Sequence, residues 1–273
     1  MLIEEILYSR HFLVIADTKK FPKKAYECAL EYAKGFEKDI SFLILLKSSE
    51  YSDYEGIDGF WKNKIEQEQQ ETNVNLSYYV VEGNVTNIPD LTQRTETPMV
   101  FFEITKKGRY RNPMFLFKNL RELRIPFIFT KEEYSESINF SKILVPVGFL
   151  NEEKEKGPYS SNMGRFLKSE IVILQANDYG SKTPKNVQSI EDLYHKFDLV
   201  CSVMKAKSDS FGVEKEAAVL AEKINAGMII VSTSRDYGLD DIFFGPKELH
   251  TFKIAKVPVM FINPRPDLYV LCW

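Results

Sequence analysis

The side chains best suited to chemistry follow apolar runs that read as buried strands. Ser232, Thr233 and Ser234, directly after Met228–Val231, offer hydroxyl donors to an anion, and Arg235 offers a guanidinium to pair with it. Asp17 closes the run Phe12–Ala16 before a polar loop, where an Asp also serves as an ordinary cap or turn former. Lys106, Lys107, Arg109 and Arg111, with Tyr110 among them, form the densest basic patch of the chain. Such a patch is either a solvated loop or a site for an anion or an acidic partner. The sequence holds no Walker loop, H-x-G-H pair, G-x-S-x-G elbow, H-E-x-x-H motif or cysteine–histidine signature, so no catalytic residue is nominated. His11, His195 and His250 are far apart and lack metal-ligand spacing, so no metal site is expected. His250 reads as a surface or half-buried helix residue.

The elements that position these groups come in two sets. Val14 matches Val145 at an offset of 131, and Phe42 in Phe42–Leu46 matches Ile171 in Ile171–Leu174 at 129. Met99–Phe102 matches Met228–Val231 at 129, and Ile125–Phe129 matches Val257–Phe261 at 132. Four strand pairs in the same order at a nearly constant offset identify a duplication. Each copy has one further strand, Ser77–Val81 and Leu199–Lys205. Helical spacing joins Ala25, Cys28, Ala29, Tyr32, Ala33 and Phe36 after Pro22, and again Ala217, Leu220, Ala221 and Ile224 within Glu214–Ala226. Gly227 is expected to close that second helix. Further helices are expected over Lys62–Glu71, Asn112–Arg124, Ser189–Lys196 and Lys247–Ala255. Strands alternating with helices imply a doubly wound α/β unit of five parallel strands per copy. The Glu- and Ser-rich segment Thr130–Ser141 separates a first domain, 1–135, from a second, 136–273.

Composition excludes several partners. Hydrophobic residues make up 44% and charged residues 27%, enough for packed cores under a charged surface. The net charge is −3 and the basic residues are dispersed, which argues against nucleic acid as a partner. No apolar stretch reaches the ~18 residues that span a bilayer, so no membrane partner is expected. The first residues lack the pattern of a secretory signal. Cys28, Cys201 and Cys272 are widely spaced and read as reduced, mostly buried thiols of a cytoplasmic protein. The tail Asp267–Trp273 is apolar for a terminus and is expected to dock on the body or at a dimer seam.

The second copy opens with Lys142–Val147, runs through Ala226–Arg235 and Gly245, and closes with Ala255–Met260. These stretches resemble the first strand, the fourth strand with its phosphate loop, and the fifth strand of a universal stress protein domain. The first copy is similar more loosely, through Val14–Asp17, Gly83, Met99–Phe102 and Ile125–Phe129. The resemblance covers the whole chain and points to a tandem member of that family from the bacterial cytoplasm. It implies two flavodoxin-like (adenine nucleotide alpha hydrolase-like) domains with sheet order 3-2-1-4-5. In nucleotide-binding members an Asp after the first strand meets the adenine end, and a loop G-x2-G-x9-G-(S/T) cradles the phosphates.

Each copy keeps part of that equipment. Asp17 stands at the first copy's Asp position, but the following loop reads Glu103–Pro113 and is about three residues short of the second copy's. In the second copy Gly148 replaces the Asp, and the loop reads Ser232-x2-Arg235-x9-Gly245-Pro246. The degenerate nucleotide site therefore comprises Asp17, Ser232, Ser234, Arg235 and Gly245. Three functions follow as expectations. The first is a non-catalytic stress-response or regulatory module with lost or weakened ATP binding and no cofactor. Its two domains would pair with each other, as they do in the family through their fifth strands, with a further homodimer or another protein as partner. The second is a sensor that binds an adenine nucleotide or another anion through the altered loop. The third is a nucleotide-consuming or nucleotidyl-transferring enzyme, which the missing motifs argue against.

Overall fold

The computed structural model describes residues 11–234 and 246–265. The chain divides into two compact units, Met1–Ser137 and Ile138–Trp273. In the first unit, β1 (His11–Ala16) pairs in parallel with β2 (Asp39–Leu46) and with β4 (Val100–Ile104). β2 pairs with β3 (Leu76–Glu82), and β4 with β5 (Phe127–Lys131). The strand order is therefore 3-2-1-4-5, as expected. All six residues of β1 and seven of the eight in β2 are buried, which is why they read as unbroken apolar runs rather than as alternation. Helix α1 (Lys23–Phe36) buries Ala25, Tyr26, Cys28, Ala29, Tyr32 and Ala33, the face its spacing predicts. It ends on Glu37, whose left-handed backbone (φ 52°) stops the helix. Helix α2 (Tyr54–Gln69) is longer than its apolar spacing suggested, with Ile57, Trp61 and Ile65 buried at four-residue steps. Two short helices follow, α3 (Ile88–Arg94) and α4 (Pro113–Asn119). The expected helix over Asn112–Arg124 stops early, although Leu120 and Leu123 beyond it are still buried.

The second unit repeats this plan. Its strands are β6 (Lys142–Val147), β7 (Glu170–Gln175), β8 (Cys201–Lys205), β9 (Met228–Ser232) and β10 (Val259–Ile262). β6 pairs with β7 and β9, β7 with β8, and β9 with β10, all in parallel, which again is the order 3-2-1-4-5. The helices are α5 (Lys156–Phe166), α6 (Lys182–His195), α7 (Val213–Lys223) and α8 (Lys247–Ile254). α6 starts seven residues ahead of its expected position, because Thr183, Asn186 and Val187 also face inward.

The expectation for Gly227 was wrong. The left-handed residue after α7 is Asn225 (φ 54°), and Gly227 instead lies in the lead-in to β9, where its N–H donates to Lys142 O. A Cβ at 227 would overlap the carbonyl of Asn139, so the glycine serves close backbone approach rather than a helix end. The two sheets also differ at one edge. β3 is half-buried along most of its length, and Tyr78 donates from its hydroxyl to Asp58 of α2. β8 is exposed at four of its five residues.

Candidate functional site

In a 3-2-1-4-5 sheet the first and fourth strands are the switch point, and ligands sit beyond their carboxyl ends. The first unit has a cavity of about 530 Å³ at that end. Asp17 follows β1, Leu45 lies in β2 and Lys47 just past it, and Gly83 to Val85 come from the exit of β3. Glu50 comes from the short 3-10 helix Ser48–Asp53. Gly108, Arg109 and Arg111 come from the loop after β4, and Phe115 from α4.

Several buried groups fix this wall. Trp61, fully buried, donates its indole N–H to Thr18 O at 2.8 Å and holds the loop after β1. Tyr110, also buried, donates to Ala16 O at 3.3 Å, and burial pushes its phenol up. Asp17 accepts from the N–H of Thr18 at 2.8 Å and from the N–H of Arg109 at 3.2 Å. Its carboxylate thus acts first as a turn former that ties β1 to the loop after β4. Arg109 then folds inward. Its guanidinium donates to Leu45 O and to both carboxylate oxygens of Glu50, one of them at 2.6 Å. Burial works against the charge on Glu50, but the Arg109 hydrogen bonds hold its carboxyl below the usual range. The basic patch is therefore split. Arg109 and Tyr110 are structural, while Lys106, Lys107 and Arg111 are exposed. Nothing in the sequence links Glu50 to Arg109 across 59 positions.

The corresponding end of the second unit is built differently. Gly148 follows β6, and a Cβ there would clash with the Ser210 side chain. The Ser210 hydroxyl accepts from the N–H of Phe149 at 2.9 Å and donates to Asp178, which also takes the hydroxyl of Thr183 at 2.6 Å. A serine–aspartate pair thus fills the space an aspartate at 148 would need. On the β9 side, Ser232 is buried and its hydroxyl has no hydrogen-bond partner among the described residues. Ser234 gives its backbone N–H and its hydroxyl to Glu248, at 3.2 and 3.0 Å. Glu248 lies in the first turn of α8 and is fully buried, which raises its carboxyl above the usual range. Ser232 and Ser234 therefore share one loop, while Asp17 belongs to the other unit. Arg235 and Gly245 lie outside the described residues, as do Cys272 and the tail Asp267–Trp273.

Beneath this loop lies an ionic cluster that the sequence reading missed. Lys156, fully buried, donates to Pro146 O and to Glu153, each at 2.7 Å, and stands 3.9 Å from Glu214. Glu214 also pairs with Lys247 at 3.3 Å. Glu153 additionally accepts from the N–H of Gly148 at 3.0 Å. Burial opposes its charge, but Lys156 and Lys247 outweigh that and hold its carboxyl low. A lysine on the same face as Gly157, Ser160, Ser161 and Gly164 was the available signal, since small residues around it mark a buried helix side. Among the described residues, no group of three or more His, Cys, Asp or Glu side chains is arranged to hold a metal ion. No helix there is long and apolar enough to cross a membrane.

No protein-family model matches the chain, and no curated protein matches it in sequence. Solved structures do. A universal stress protein from Archaeoglobus fulgidus is similar over 96% of this chain and 99% of its own, with TM-score 0.69 and 13% identity. A putative universal stress protein from Pseudomonas aeruginosa covers 98% of both chains, with TM-score 0.62 and 14% identity. The cytoplasmic domain of a prokaryotic cation chloride cotransporter is similar over 97% of this chain and 100% of its own, with TM-score 0.53 and 11% identity. At such identities the likeness speaks to architecture, and the fold of this chain is the one found in universal stress proteins.

Proposed function

We propose that the chain is a non-catalytic regulatory protein of the universal stress type, acting through contacts with other proteins, with ATP binding lost from its second unit. The observation that carries this reading is the engagement of Ser234 by Glu248. The loop that would cradle phosphate gives two of its donors to an internal carboxylate, and a phosphate brought there would meet that negative charge in a buried setting. The Lys156 cluster supports the same view, because Lys156 and Lys247 face Glu153 and Glu214 from within the fold, although one Glu214 oxygen has no hydrogen-bond partner among the described residues. Fold alone does not select the role, since a transporter domain has it too.

The cavity of the first unit favours a second reading, a sensor for a small anion or an adenine nucleotide. It offers Lys47 and Arg111 as exposed cations and Phe115, 48% exposed, as an apolar surface. Arg109 is less available, being held by Glu50.

Thermal melts with ATP, ADP, AMP and inorganic phosphate, with and without magnesium, separate the two. A ligand at 100 times its Kd adds about 2.7 kcal/mol, which is readily seen. No shift is expected with any of them. A saturable shift that Arg111→Ala abolishes would establish the sensor reading. A shift that survives Arg111→Ala and is lost in Ser234→Ala would overturn the claim that the second unit has given up phosphate.

A further inference from the structure

We propose that Glu50 is a removable latch on the first-unit cavity, an internal carboxylate that occupies Arg109 until the phosphate group of a small solute displaces it. The latch rests on the sensor reading of that cavity and supplies its regulation, since the solute enters by competing with the chain's own glutamate.

Arg109 is the fixed half of the pair. Its backbone N–H donates to Asp17 at 3.2 Å, and the next residue, Tyr110, is buried with its hydroxyl on Ala16 O at 3.3 Å. Nη1 donates to Leu45 O, which aims the guanidinium along the cavity wall. Nη2 is left for an anion, and both Glu50 carboxylate oxygens accept from it, one of them at 2.6 Å. Paired oxygens on a guanidinium nitrogen are what a phosphate group also offers, so Glu50 stands where such a ligand would.

Glu50 is the loosely held half. Five of the six residues of the 3-10 helix Ser48–Asp53 are exposed, and none is buried. The Ser48 and Tyr51 hydroxyls donate to Glu82 at 3.0 and 3.5 Å, and Asp53 pairs with Lys19 at 2.7 Å, all at the surface. Glu50 also accepts from the Lys47 N–H at 2.8 Å, an exposed group that water can satisfy. Exposed contacts of this kind hold a segment weakly, and segments with few buried groups open most readily. Glu248 makes the contrast. It engages Ser234 in the second unit, but it is fully buried and sits in a helix of the core. Departure of Glu50 also makes the cavity more attractive to an anion. Lys47, Arg109 and Arg111 outnumber Asp17 and Glu50 by one charge, and by two once Glu50 swings out.

Titration calorimetry and thermal melts of the full chain with inorganic phosphate, at fixed ionic strength, test the latch. A charge-assisted hydrogen bond of this kind keeps the open form to roughly a tenth or less, so Glu50→Ala should bind phosphate at least about tenfold more tightly than the parent. Glu50→Gln, which keeps an acceptor for the Lys47 N–H, should gain in the same direction by a smaller factor, and it carries the test if the alanine variant does not fold. Glu50→Ala/Arg109→Met removes both members of the pair and should lose the gain. Phenyl phosphate, run in parallel, distinguishes the source of the group: tighter binding than inorganic phosphate marks a phosphomonoester resting on Phe115, and parity marks the free ion. Equal phosphate affinity in the parent and Glu50→Ala overturns the latch and leaves the sensor reading standing. Absence of binding in both overturns the two together. A gain that survives in Glu50→Ala/Arg109→Met overturns the latch as well, since the anion would then sit elsewhere.

Discussion

Lys156→Met tests the physical basis of the second unit. The side chain is fully buried, and removing its ammonium strips Glu153 of a contact at 2.7 Å and Glu214 of one at 3.9 Å. Breaking a buried pair by deleting one partner costs about 3–5 kcal/mol, because the other charge is left without compensation. Here the lower end applies. Glu214 keeps Lys247 at 3.3 Å, and Glu153 keeps the N–H of Gly148 at 3.0 Å. With an unfolding entropy near 2.1 cal/mol/K per residue, a unit of about 136 residues loses roughly 10 °C of Tm for ~3 kcal/mol. The pH dependence has a definite sign. Without its lysine, burial pushes the Glu153 carboxyl above the unfolded value, so the native state binds the extra proton and stability falls as pH rises. The deficit against the parent should therefore be larger at pH 8 than at pH 5. Calorimetric melts at both values measure it, with Glu153→Gln/Lys156→Met as the compensating variant. A loss below ~1 kcal/mol, or a double variant no more stable than Lys156→Met alone, would refute the view that Lys156 neutralises buried carboxylates.

Two further predictions follow from the same region. Glu248→Gln keeps an acceptor for the Ser234 N–H and removes a carboxyl that burial raises. The parent should lose stability as pH climbs from the ordinary glutamate range through the raised folded value, and this slope should flatten in the variant, as pH-resolved denaturation would show. Gly227→Ala drives a Cβ into the Asn139 carbonyl and should cost about 2–3 kcal/mol, read as a lower denaturant midpoint with an unchanged slope.

Much of the architecture was legible because central parallel strands are buried on both faces and write continuous apolar runs. β1, β2, β6 and β9 are of this kind, and such runs recurring at a nearly constant offset identify the duplication. Helix limits were less legible where polar residues face inward. The first turns of α6 carry Thr183 and Asn186, whose buried side chains bond to Asp178 and to the carbonyls of Gly148 and Leu150. Gly227 misled for a related reason, since a glycine after a helix signals either a left-handed turn or a close approach, and spacing does not distinguish them. The candidate sites were legible only as positions. Asp17 and Ser234 lie at strand ends, where ligands are expected, but their partners come from far along the chain. Arg109 and Glu248 were the missing halves, and pairs 92 and 14 residues apart leave no periodic trace.

The Glu248 carboxylate also bears on what this protein can report. A loop whose donors wait for a solute changes state with that solute's abundance, and the occupied fraction is the message. Here the Ser234 donors are already engaged by an internal carboxyl, so under the proposed reading they would not report a phosphate solute. If the proposed reading holds, control of the second unit would come through how much of the protein is made, what it meets, or how long it lasts.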